Sequence, residues 1–498
     1  MSCWLHAAGA GLCASVWVTC GTDPMYAYGG RLVAPPKPGG VGHRPLGAGT
    51  ALRRIAAGFL CLSMRSGFGA QLGPLQLGVG VRHGPELVAL AMRLALEAHS
   101  GWVAVKLDFK NAFNMCSRAA FLRYAARHFP ALLLFLLAAY GAPPYITALG
   151  PDGWVRFLSQ RGCTQGCPLG PFCFAASLQP VLERVRAAHP RVLIAALHDD
   201  VEIAGEPCDV LPALRMVIEE ASLVCGLEPA GHKFMLYAQS DHVASSEGVA
   251  AIEAAIAGWT SAAALAAGEC CSVQCDGLVT AGVPIGSMAF VRGYARQRLA
   301  EWAHAHDELE QLRDTQAAYL MLRYSLSRRF GFLLRMCGSV LAVPLEGDDV
   351  PPVFAHDARL MQSLAYLLTD PTLPTDVRDA RALCTLPDEV MDQAILPTRM
   401  GGVALDSAVV LWAATHIAGA TACLPYLYEH RAVYCLGSGV FASGAAGLPY
   451  FRGLSIALTA LHTDSPRCAL QYPDLTQTSG RFSPTRLRLF TTFRQMSS

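Results

Sequence analysis

Lysine is scarce in this chain, and so is charge of either sign. Only four of its 39 basic residues are lysines, and charged residues make up 15% of the 498 positions. The formal net charge is +1, whereas proteins that grip a nucleic-acid duplex usually carry a clear basic excess. The average charge therefore counts modestly against nucleic-acid binding, and a basic surface would have to come from a local concentration of arginine.

Long apolar runs are missing as well, although 53% of the residues are hydrophobic. Residues 131–140 are too few to cross a bilayer and are predicted to form a buried helix. Residues 403–424 contain Asp406 and His416, which are costly inside a bilayer. The N-terminus lacks the basic region of a secretory signal. The sequence thus predicts an intracellular protein, nuclear or cytoplasmic, without a membrane partner.

The 18 cysteines lack a metal-binding pattern. No C-x-x-C pair repeats, and Cys270, Cys271 and Cys275 have no second half that would complete a zinc site. Reduced and mostly buried thiols of an intracellular chain are the preferred interpretation. No internal repeat or low-complexity tract occurs either, which excludes solenoids and disordered arrays.

What is present is an ordered series of strand and helix patterns. Hydrophobic spacing predicts helices at residues 50–64, 84–99 and 209–225, and strands near 31, at 102–109, at 191–197, at 201–204 and at 231–238. From residue 102 onward this is a β-α-β-β-α-β order, the ferredoxin-like split unit. Residues 291–337 are strongly helical. The predicted fold class is α+β with helical lobes.

Three aspartates fall where predicted strands end. Asp108 closes one strand, and Asp199 and Asp200 lie in the turn between the next two. Nucleotidyl transfer uses two divalent cations about 3.5–4 Å apart. Magnesium needs only a few carboxylates beside substrate phosphates and water. An Asp-Asp pair is also common in solvated turns, so the pair alone leaves both interpretations open.

The order of five motifs favours the metal site. Asp108-Phe-Lys-Asn-Ala-Phe113 is followed by Gln165-Gly-Cys-Pro-Leu-Gly-Pro171, Leu197-His-Asp-Asp200, Gly226-Leu-Glu-Pro-Ala-Gly-His-Lys233 and Gly282-Val-Pro-Ile-Gly-Ser287. Over about residues 31–290 this series resembles the palm motifs of reverse transcriptases, most closely those of non-LTR retrotransposons and related cellular copies.

The resemblance implies a right-hand polymerase with fingers, a ferredoxin-like palm and a helical thumb. The corresponding boundaries are an unassigned segment at 1–30, fingers at 31–100, palm at 101–290, thumb at 291–345 and a mainly helical extension at 346–498. The residues Leu197-His198 depart from the family, which usually has an aromatic and then a small residue there. His198 adds bulk near the position of the primer end, which puts activity or fidelity in question.

The resemblance also implies roles for the residues around the aspartates. Asp108 and Asp199 would bind two Mg²⁺ ions, for which Mn²⁺ could substitute, with the Phe109 carbonyl assisting and Asp200 beside them. Lys233 would protonate the leaving pyrophosphate, a role open to lysine because arginine cannot release a proton at working pH. An ordinary salt bridge is the alternative for Lys233.

Nucleotide-binding residues follow from the same resemblance. Gln165 and Gly166 would lie against the incoming nucleotide and the template base, and the ring of Phe113 would exclude a ribose 2′-hydroxyl. Lys37 and Arg44 would clamp the triphosphate. The alternatives are a Gly/Pro turn before a helix for Gln165 and Gly166, a core position for Phe113 and solvated loop charges for Lys37 and Arg44.

The predicted thumb is rich in arginine. A local concentration of arginine there would supply the positive charge that the low net charge of the whole chain does not show. Its arginines are Arg292, Arg296, Arg298, Arg313, Arg323, Arg328, Arg329 and Arg335. Interspersed Glu and Asp residues leave a solvated amphipathic helix as the alternative. Lys106 and Lys110 flank Asp108 and are given no role beyond balancing local negative charge.

The predicted function is an RNA-directed DNA polymerase that uses an RNA template, a DNA or RNA primer and dNTPs. The alternative is a catalytically inactive, domesticated palm that binds RNA; His198 and the missing nuclease motifs favour it slightly. A viral RNA polymerase would share the metals but is disfavoured by Phe113, because such enzymes usually place a polar residue there.

Overall fold

The computed structural model describes residues 29–36, 45–269, 271–312, 314–344, 350–369, 388–441 and 447–463. These residues form two compact units. The first contains the described residues up to Cys275 together with Ala432–Cys435, and the second contains the others from Asp276 onward. The mixed α+β class agrees with the prediction.

The first unit alternates strands and helices. Its strands are β1 (Gly30–Val33), β2 (Leu46–Gly49), β3 (Val103–Leu107), β4 (Tyr145–Gly150), β5 (Gly153–Leu158), β6 (Leu193–Leu197), β7 (Asp200–Gly205), β8 (Met235–Ala238) and β9 (Val273–Gln274). Its helices are α1 (Ala51–Ser63), α2 (Arg65–Leu72), α3 (Gly84–Ala98), α4 (Ala112–Met115), α5 (Arg118–His128), α6 (Pro130–Tyr140), α7 (Gly170–Ala188), α8 (Pro207–Glu220), α9 (Asp241–Ala244), α10 (Glu247–Gly258) and α11 (Ala262–Ala266).

The main sheet of this unit has the order β6-β7-β3-β8-β9. β3 is central and antiparallel to both β7 and β8, while β9 runs parallel to β8. Without β9, the order is that of the predicted β-α-β-β-α-β unit. The apolar strand Val103–Leu107 suits the central position, because its side chains are covered on both faces of the sheet.

Two long helices supply much of the core next to this sheet. α3 packs on β6 and β7, and α7 buries most of its length, including Phe172, Phe174 and Leu178. Burying a side chain of this size contributes about 1.5–3 kcal/mol. Helices of this kind therefore hold the ends of the strands in place, and the aspartates lie at those ends.

A second sheet, of order β2-β1-β4-β5, lies in the same unit. The hairpin of β4 and β5 was not predicted; its two strands are joined across Gly150–Gly153. β1 runs antiparallel to β2 and parallel to β4. Thr50 follows β2 directly and caps α1, since its hydroxyl accepts a hydrogen bond from the Arg53 N–H.

Two predictions about apolar helices need correction. α6 is only half buried, because Leu134 and Leu137 are 59% and 45% exposed. Asp406 precedes its helix instead of interrupting it, so His416 alone lies inside that apolar stretch. His416 is buried, with Nδ1 3.1 Å from the Arg335 carbonyl oxygen.

The second unit is mainly helical. It contains the hairpin β10 (Gly277–Thr280) and β11 (Val283–Gly286), and helices α12 (Met288–Glu310), α13 (Thr315–Met321), α14 (Gly331–Ala342), α15 (Pro352–Leu368), α16 (Asp388–Ile395), α17 (Ala408–Glu429) and α18 (Pro449–Thr463). The motif Gly282–Ser287 thus belongs to this unit. Among the described helices, α17 is long and apolar enough to cross a membrane, and 44% of its apolar window is buried inside the protein. A buried core helix meets the same criterion, so the absence of a membrane partner stays a prediction.

Residues Ala432–Cys435 return to the first unit and are fixed there by two side chains. The Tyr434 hydroxyl donates to the Pro74 carbonyl at 2.7 Å, and the Arg186 guanidinium donates to the Ala432 carbonyl at 2.5 Å. Tyr434 is fully buried. The hydrogen bond from Tyr434 therefore fixes the segment that contains Pro74.

Candidate active site

The three aspartates meet at one end of the main sheet. Leu107, the last residue of β3, pairs with Val201 of β7, so Asp108 follows directly beside the start of that strand. Leu197 pairs with Asp200 across the tight turn between β6 and β7. Residues separated by some ninety positions are thus brought together, as the sequence predicted.

Two lysines pair with these carboxylates. Lys106 Nζ lies 3.2 Å from Asp200 Oδ2, and Lys233 Nζ lies 3.2 Å from Asp108 Oδ2. Both pairs are partly exposed, so each contributes about 0–1 kcal/mol to stability. Lys233 is where the sequence predicted a functional lysine. Lys106 was given no role beyond balancing local negative charge, and its pairing with Asp200 agrees with that.

The pKa of Asp199 is perturbed. Burial, together with the nearby carboxylates of Asp200 and Asp108, raises the pKa of its carboxyl to about 6, against the opposing effects of a backbone hydrogen bond and of Lys106. A carboxylate whose ionisation is opposed in this way gains stability when a cation approaches. The electrostatics of the turn therefore favour a positive ligand.

The donor set suits magnesium in chemical type, since carboxylate oxygens are its usual protein ligands. In the described part of the chain, however, no three His, Cys, Asp or Glu side chains lie close enough together to enclose a cation. Asp108 and Asp200 are instead each paired with a lysine. Divalent cations that bind at this place would compete with the two lysines for these carboxylates.

The turn that carries Asp199 is clamped by a residue that the sequence did not indicate. Gln76 is fully buried, and its Nε2 donates to the His198 carbonyl at 3.0 Å. Its Oε1 accepts from the His198 N–H at 2.8 Å and from the Gly78 N–H at 3.2 Å. Leu75 and Leu77 exchange backbone hydrogen bonds with Ala196. This segment thus extends the edge of the hairpin and holds its turn.

His198 adopts an uncommon backbone conformation, with φ at 61°. Burial lowers the pKa of its imidazole, and Asp200 opposes that shift. Its ring packs so close to Gly78 that a Cβ there would lie 2.8 Å from both the ring and the His198 backbone nitrogen. Gly78 and Gln76 together accommodate the backbone and the ring of His198.

Phe113 is half buried beside the turn. Its ring stacks on the buried Phe174, with centroids 4.9 Å apart, and lies 6.4 Å from the His198 ring. Core packing, the alternative given for Phe113, is therefore observed, and its role in nucleotide selection stays a prediction. The stack on Phe174 fixes the ring in one orientation.

Gln165 and Gly166 lie between β2 and the start of α7. The Gln165 carbonyl accepts from the Gly47 N–H at 2.8 Å. Gly166 has φ at 108°, and a Cβ there would lie 2.8 Å from the Gly47 carbonyl oxygen. The Cys163 N–H donates to the Phe113 carbonyl. The segment that contains Gln165 is therefore joined to Phe113 by a backbone hydrogen bond at Cys163.

The segment before β8 positions Lys233. The Ala230 N–H donates to the Asp108 carbonyl, and the Lys233 N–H donates to the Ala230 carbonyl. Phe109 is buried and forms an antiparallel bridge with Pro229. Backbone pairing thus brings Lys233 beside Asp108.

Other predicted residues lie outside the described part of the chain or have a different environment from the one expected. Lys37, Arg44 and Arg313 lie outside the described residues. The inclusion of Arg292 in a basic surface was wrong, because its guanidinium is buried and donates to the carbonyls of Val340 and Val343.

Two further arginines of the helical unit pair with acids. Arg298 contacts Glu301, and Arg328 lies 3.0 Å from Asp406. The basic character predicted for this region is therefore weaker than the sequence indicated.

Three solved telomerase structures are similar to the chain. An apo telomerase from Candida tropicalis, truncated from its C-terminal domain, aligns with 45% of this chain and 53% of its own, at 13% identity and a TM-score of 0.33. Telomerase from Candida albicans in complex with a TWJ fragment of telomeric RNA aligns with 69% of this chain and 59% of its own, at 9% identity and 0.36. Telomerase from Candida tropicalis in complex with a TWJ fragment of telomeric RNA aligns with 86% of this chain and 68% of its own, at 10% identity and a TM-score of 0.37.

This chain therefore spans between about half and three fifths of the first two telomerases. The likeness is distant. No protein-family model matches the chain, and no curated protein matches it.

Proposed function

We propose that this protein is an RNA-directed DNA polymerase, which adds dNTPs to a primer 3′-hydroxyl on an RNA template. The observation that carries the proposal is the register of β3, β6 and β7, which places Asp108 beside the Asp199-Asp200 turn. The ordered motifs of the sequence support the same reaction. The proposal includes an intracellular location for the protein, nuclear or cytoplasmic.

Asp108 and Asp199 would hold two Mg²⁺ ions, with the Phe109 carbonyl and Asp200 beside them. When bound, the cations would lower the barrier to attack by the 3′-hydroxyl and neutralise charge on the pyrophosphate. The raised pKa of Asp199 supports this assignment, since a buried carboxylate near two others needs a positive neighbour.

Lys233 has two places in the proposed cycle. In the free protein its ammonium pairs with Asp108. In the reaction the same ammonium would donate a proton to the leaving pyrophosphate. A lysine at the edge of a carboxylate cluster suits both tasks, because its single charged group sits on a flexible stem.

Phe113 and Gln165 would form the nucleotide side of the site. The ring of Phe113, which stacks on Phe174, would exclude a ribose 2′-hydroxyl by steric contact. Gln165 and Gly166 would lie against the incoming nucleotide and the template base, next to the strand Leu46–Gly49. Lys37 and Arg44, which precede that strand in the sequence, would contact the triphosphate.

Primer extension tests the proposal. The wild type should extend a DNA primer on an RNA template with dNTPs and Mg²⁺, and Asp199→Asn should abolish extension because it removes the charge while keeping the shape. Asp209→Asn is the matched control, since Asp209 pairs with Arg191 elsewhere in the same unit. Extension by Asp199→Asn at the wild-type rate would overturn the assignment.

One observation favours a second candidate, an inactive protein that binds RNA. Both Asp108 and Asp200 are already neutralised by lysine, as expected of a site that no longer binds metal. If the wild type and Asp199→Asn bind RNA alike and neither extends a primer with Mg²⁺ or Mn²⁺, this second function is the correct one.

A further inference from the structure

The outer face of the four-stranded sheet carries arginines and aromatic rings in adjacent rows. Cross-strand partners share a face of a sheet. Arg31 pairs with both Ala48 and Thr147, and Thr147 pairs with Arg156, so the two arginines lie in one row. The rows on either side add the pairs Tyr145–Leu158 and Leu149–Trp154.

This face is on the reverse side of the sheet from Thr164, which precedes the candidate nucleotide-binding residues Gln165 and Gly166. Gly47 belongs to the other face, where a Cβ would meet the Thr164 side chain and where its N–H donates to Gln165. Ile146 lies on that inner face and is nearly buried. The outer face is therefore separate from the candidate active site.

The arginines of the outer face are stacked on its rings. The Arg31 guanidinium lies 5.0 Å from the centre of the Trp154 ring, and the Arg156 guanidinium lies 5.6 Å from that of Tyr145. Trp154 is nevertheless 60% exposed. Each stack presents a flat ring beside a planar cation at the protein surface, and both shapes suit a nucleobase.

A concavity of about 340 Å³ opens between the rows. Arg31, Tyr145, Thr147 and Arg156 line it, and the small residues Gly30 and Ala48 leave room at its base. This is the lower end of the volume range of ligand pockets, from about 300 Å³ upward. It is large enough for one nucleotide and too small for a folded partner element.

The charge of the face indicates an anionic ligand. Among residues 29–36, 45–50 and 145–158 the single carboxylate is that of Asp152, in the turn between β4 and β5. Exposed rings interleaved with cations are the usual combination for single strands, in which bases stack and arginines follow the phosphates. An acidic peptide would use the arginines but would leave Trp154 and Tyr145 without a planar partner.

We infer that this outer face binds single-stranded RNA. Bases stack against Trp154 and Tyr145, and Arg31 and Arg156 contact the phosphates. The binding site is independent of the proposed catalysis and adds a contact for the strand outside the region of the three aspartates.

Fluorescence anisotropy with a short, unstructured, fluorescein-labelled RNA, in EDTA, tests the inference. Trp154→Ala should weaken binding about tenfold, since stacking of one base contributes on the order of 1–3 kcal/mol. Trp154→Phe should restore most of it, because it restores a ring. The double variant Arg31→Gln/Arg156→Gln should lower the slope of log affinity against log salt by roughly 1.4, about 0.7 for each phosphate contact.

The matched control is Arg123→Gln/Arg127→Gln, which removes two exposed arginines from α5 of the same unit. If it weakens binding as much as the face variants do, or if the face variants bind like the wild type, the inference is wrong. Equal competition by unlabelled polyglutamate and unlabelled RNA would also overturn it. Asp199→Asn should bind this RNA normally, so loss of extension alone concerns the proposed function and loss of binding alone concerns this face.

Discussion

Replacing Gln76 by leucine would change the position of the Asp199-Asp200 turn without removing its carboxylates. The side chain is fully buried and makes three hydrogen bonds to backbone groups, two of them to His198 and one to Gly78. Leucine has a similar volume but offers none of them. The variant keeps every aspartate and lysine of the site.

The stability cost follows from the groups that lose their partner. Each buried backbone group left without a hydrogen bond costs about 1–3 kcal/mol. His198 is half buried, so water can reach part of what is released. We therefore expect Gln76→Leu to lower the free energy of unfolding by roughly 2–4 kcal/mol.

The effect on activity should exceed the effect on folding. Without the clamp, the His198 backbone at φ 61° can relax and carry Asp199 with it. A displacement of about 1 Å at a catalytic group can cost on the order of 10²-fold in rate. Primer extension per folded molecule measures this loss, and urea unfolding measures the stability.

Leu75→Ala provides the control for destabilisation alone. It removes a buried side chain from the same segment, at about 2–5 kcal/mol, but leaves the Leu75 carbonyl bonded to the Ala196 N–H and the Gln76 amide in place. It should therefore extend primers at nearly the wild-type rate. If Gln76→Leu does the same, Gln76 stabilises the fold without positioning the turn.

Three other changes have expected outcomes. Phe113→Ala should admit ribonucleotides in extension assays with NTPs, because it removes the ring that Phe174 fixes; unchanged discrimination would assign Phe113 to the core alone. Gly78→Ala should reduce extension strongly, since its Cβ would lie 2.8 Å from the His198 backbone nitrogen; normal activity would mean that the turn has room to shift. Burial lowers the pKa of His306 to about 4, so between pH 6.5 and 4 the unfolded chain binds a proton that the folded chain does not. The free energy of unfolding should therefore fall by up to about 3 kcal/mol as the pH decreases through that window, and His306→Gln should flatten the profile measured by urea unfolding.

The sequence was informative where a local pattern coincides with burial. The alternating residues before Asp108 predicted a strand that ends there, and β3 ends at Leu107. The adjacent carboxylates of Asp199 and Asp200 predicted a tight turn between two strands, and the register confirms it. In both places hydrophobic residues fix the strand and the polar residues mark its end.

The hairpin of β4 and β5 was missed for the complementary reason. Residues 154–158 are exposed on both faces of the sheet, so they show no alternation of polar and apolar side chains. The available signal was the turn sequence Pro151-Asp152-Gly153 between two runs of β-branched and aromatic residues. A strand that buries neither face has to be recognised from its turn.

Gln76 and Arg292 show what local patterns do not contain. Gln76 contacts a residue 122 positions away, and no spacing in the sequence connects the two. Arg292 looks like its helical neighbours in the sequence, yet it is buried against carbonyls at the end of α14. Long-range packing decides both roles.

The two aspartates that form ion pairs in this site are paired with lysine, although lysine is scarce in the chain. This choice affects how easily a metal ion would replace the ammonium group. Arginine supplies nearly all the positive charge of the chain, but Asp108 and Asp200 are paired with Lys233 and Lys106. A guanidinium can hold a carboxylate through two parallel hydrogen bonds, whereas an ammonium acts as a single point charge. Lysine is therefore the more readily displaced partner.

This difference makes a prediction for Lys106. If the lysine holds the place of a cation in the free protein, Lys106→Met should bind Mg²⁺ up to about fivefold more tightly, corresponding to loss of an exposed ion pair of up to about 1 kcal/mol. Lys106→Arg should bind it more weakly than the wild type, and isothermal titration calorimetry measures both. If methionine and arginine change the affinity in the same direction, the lysine does not compete with the metal, and its pairing with Asp200 only balances charge.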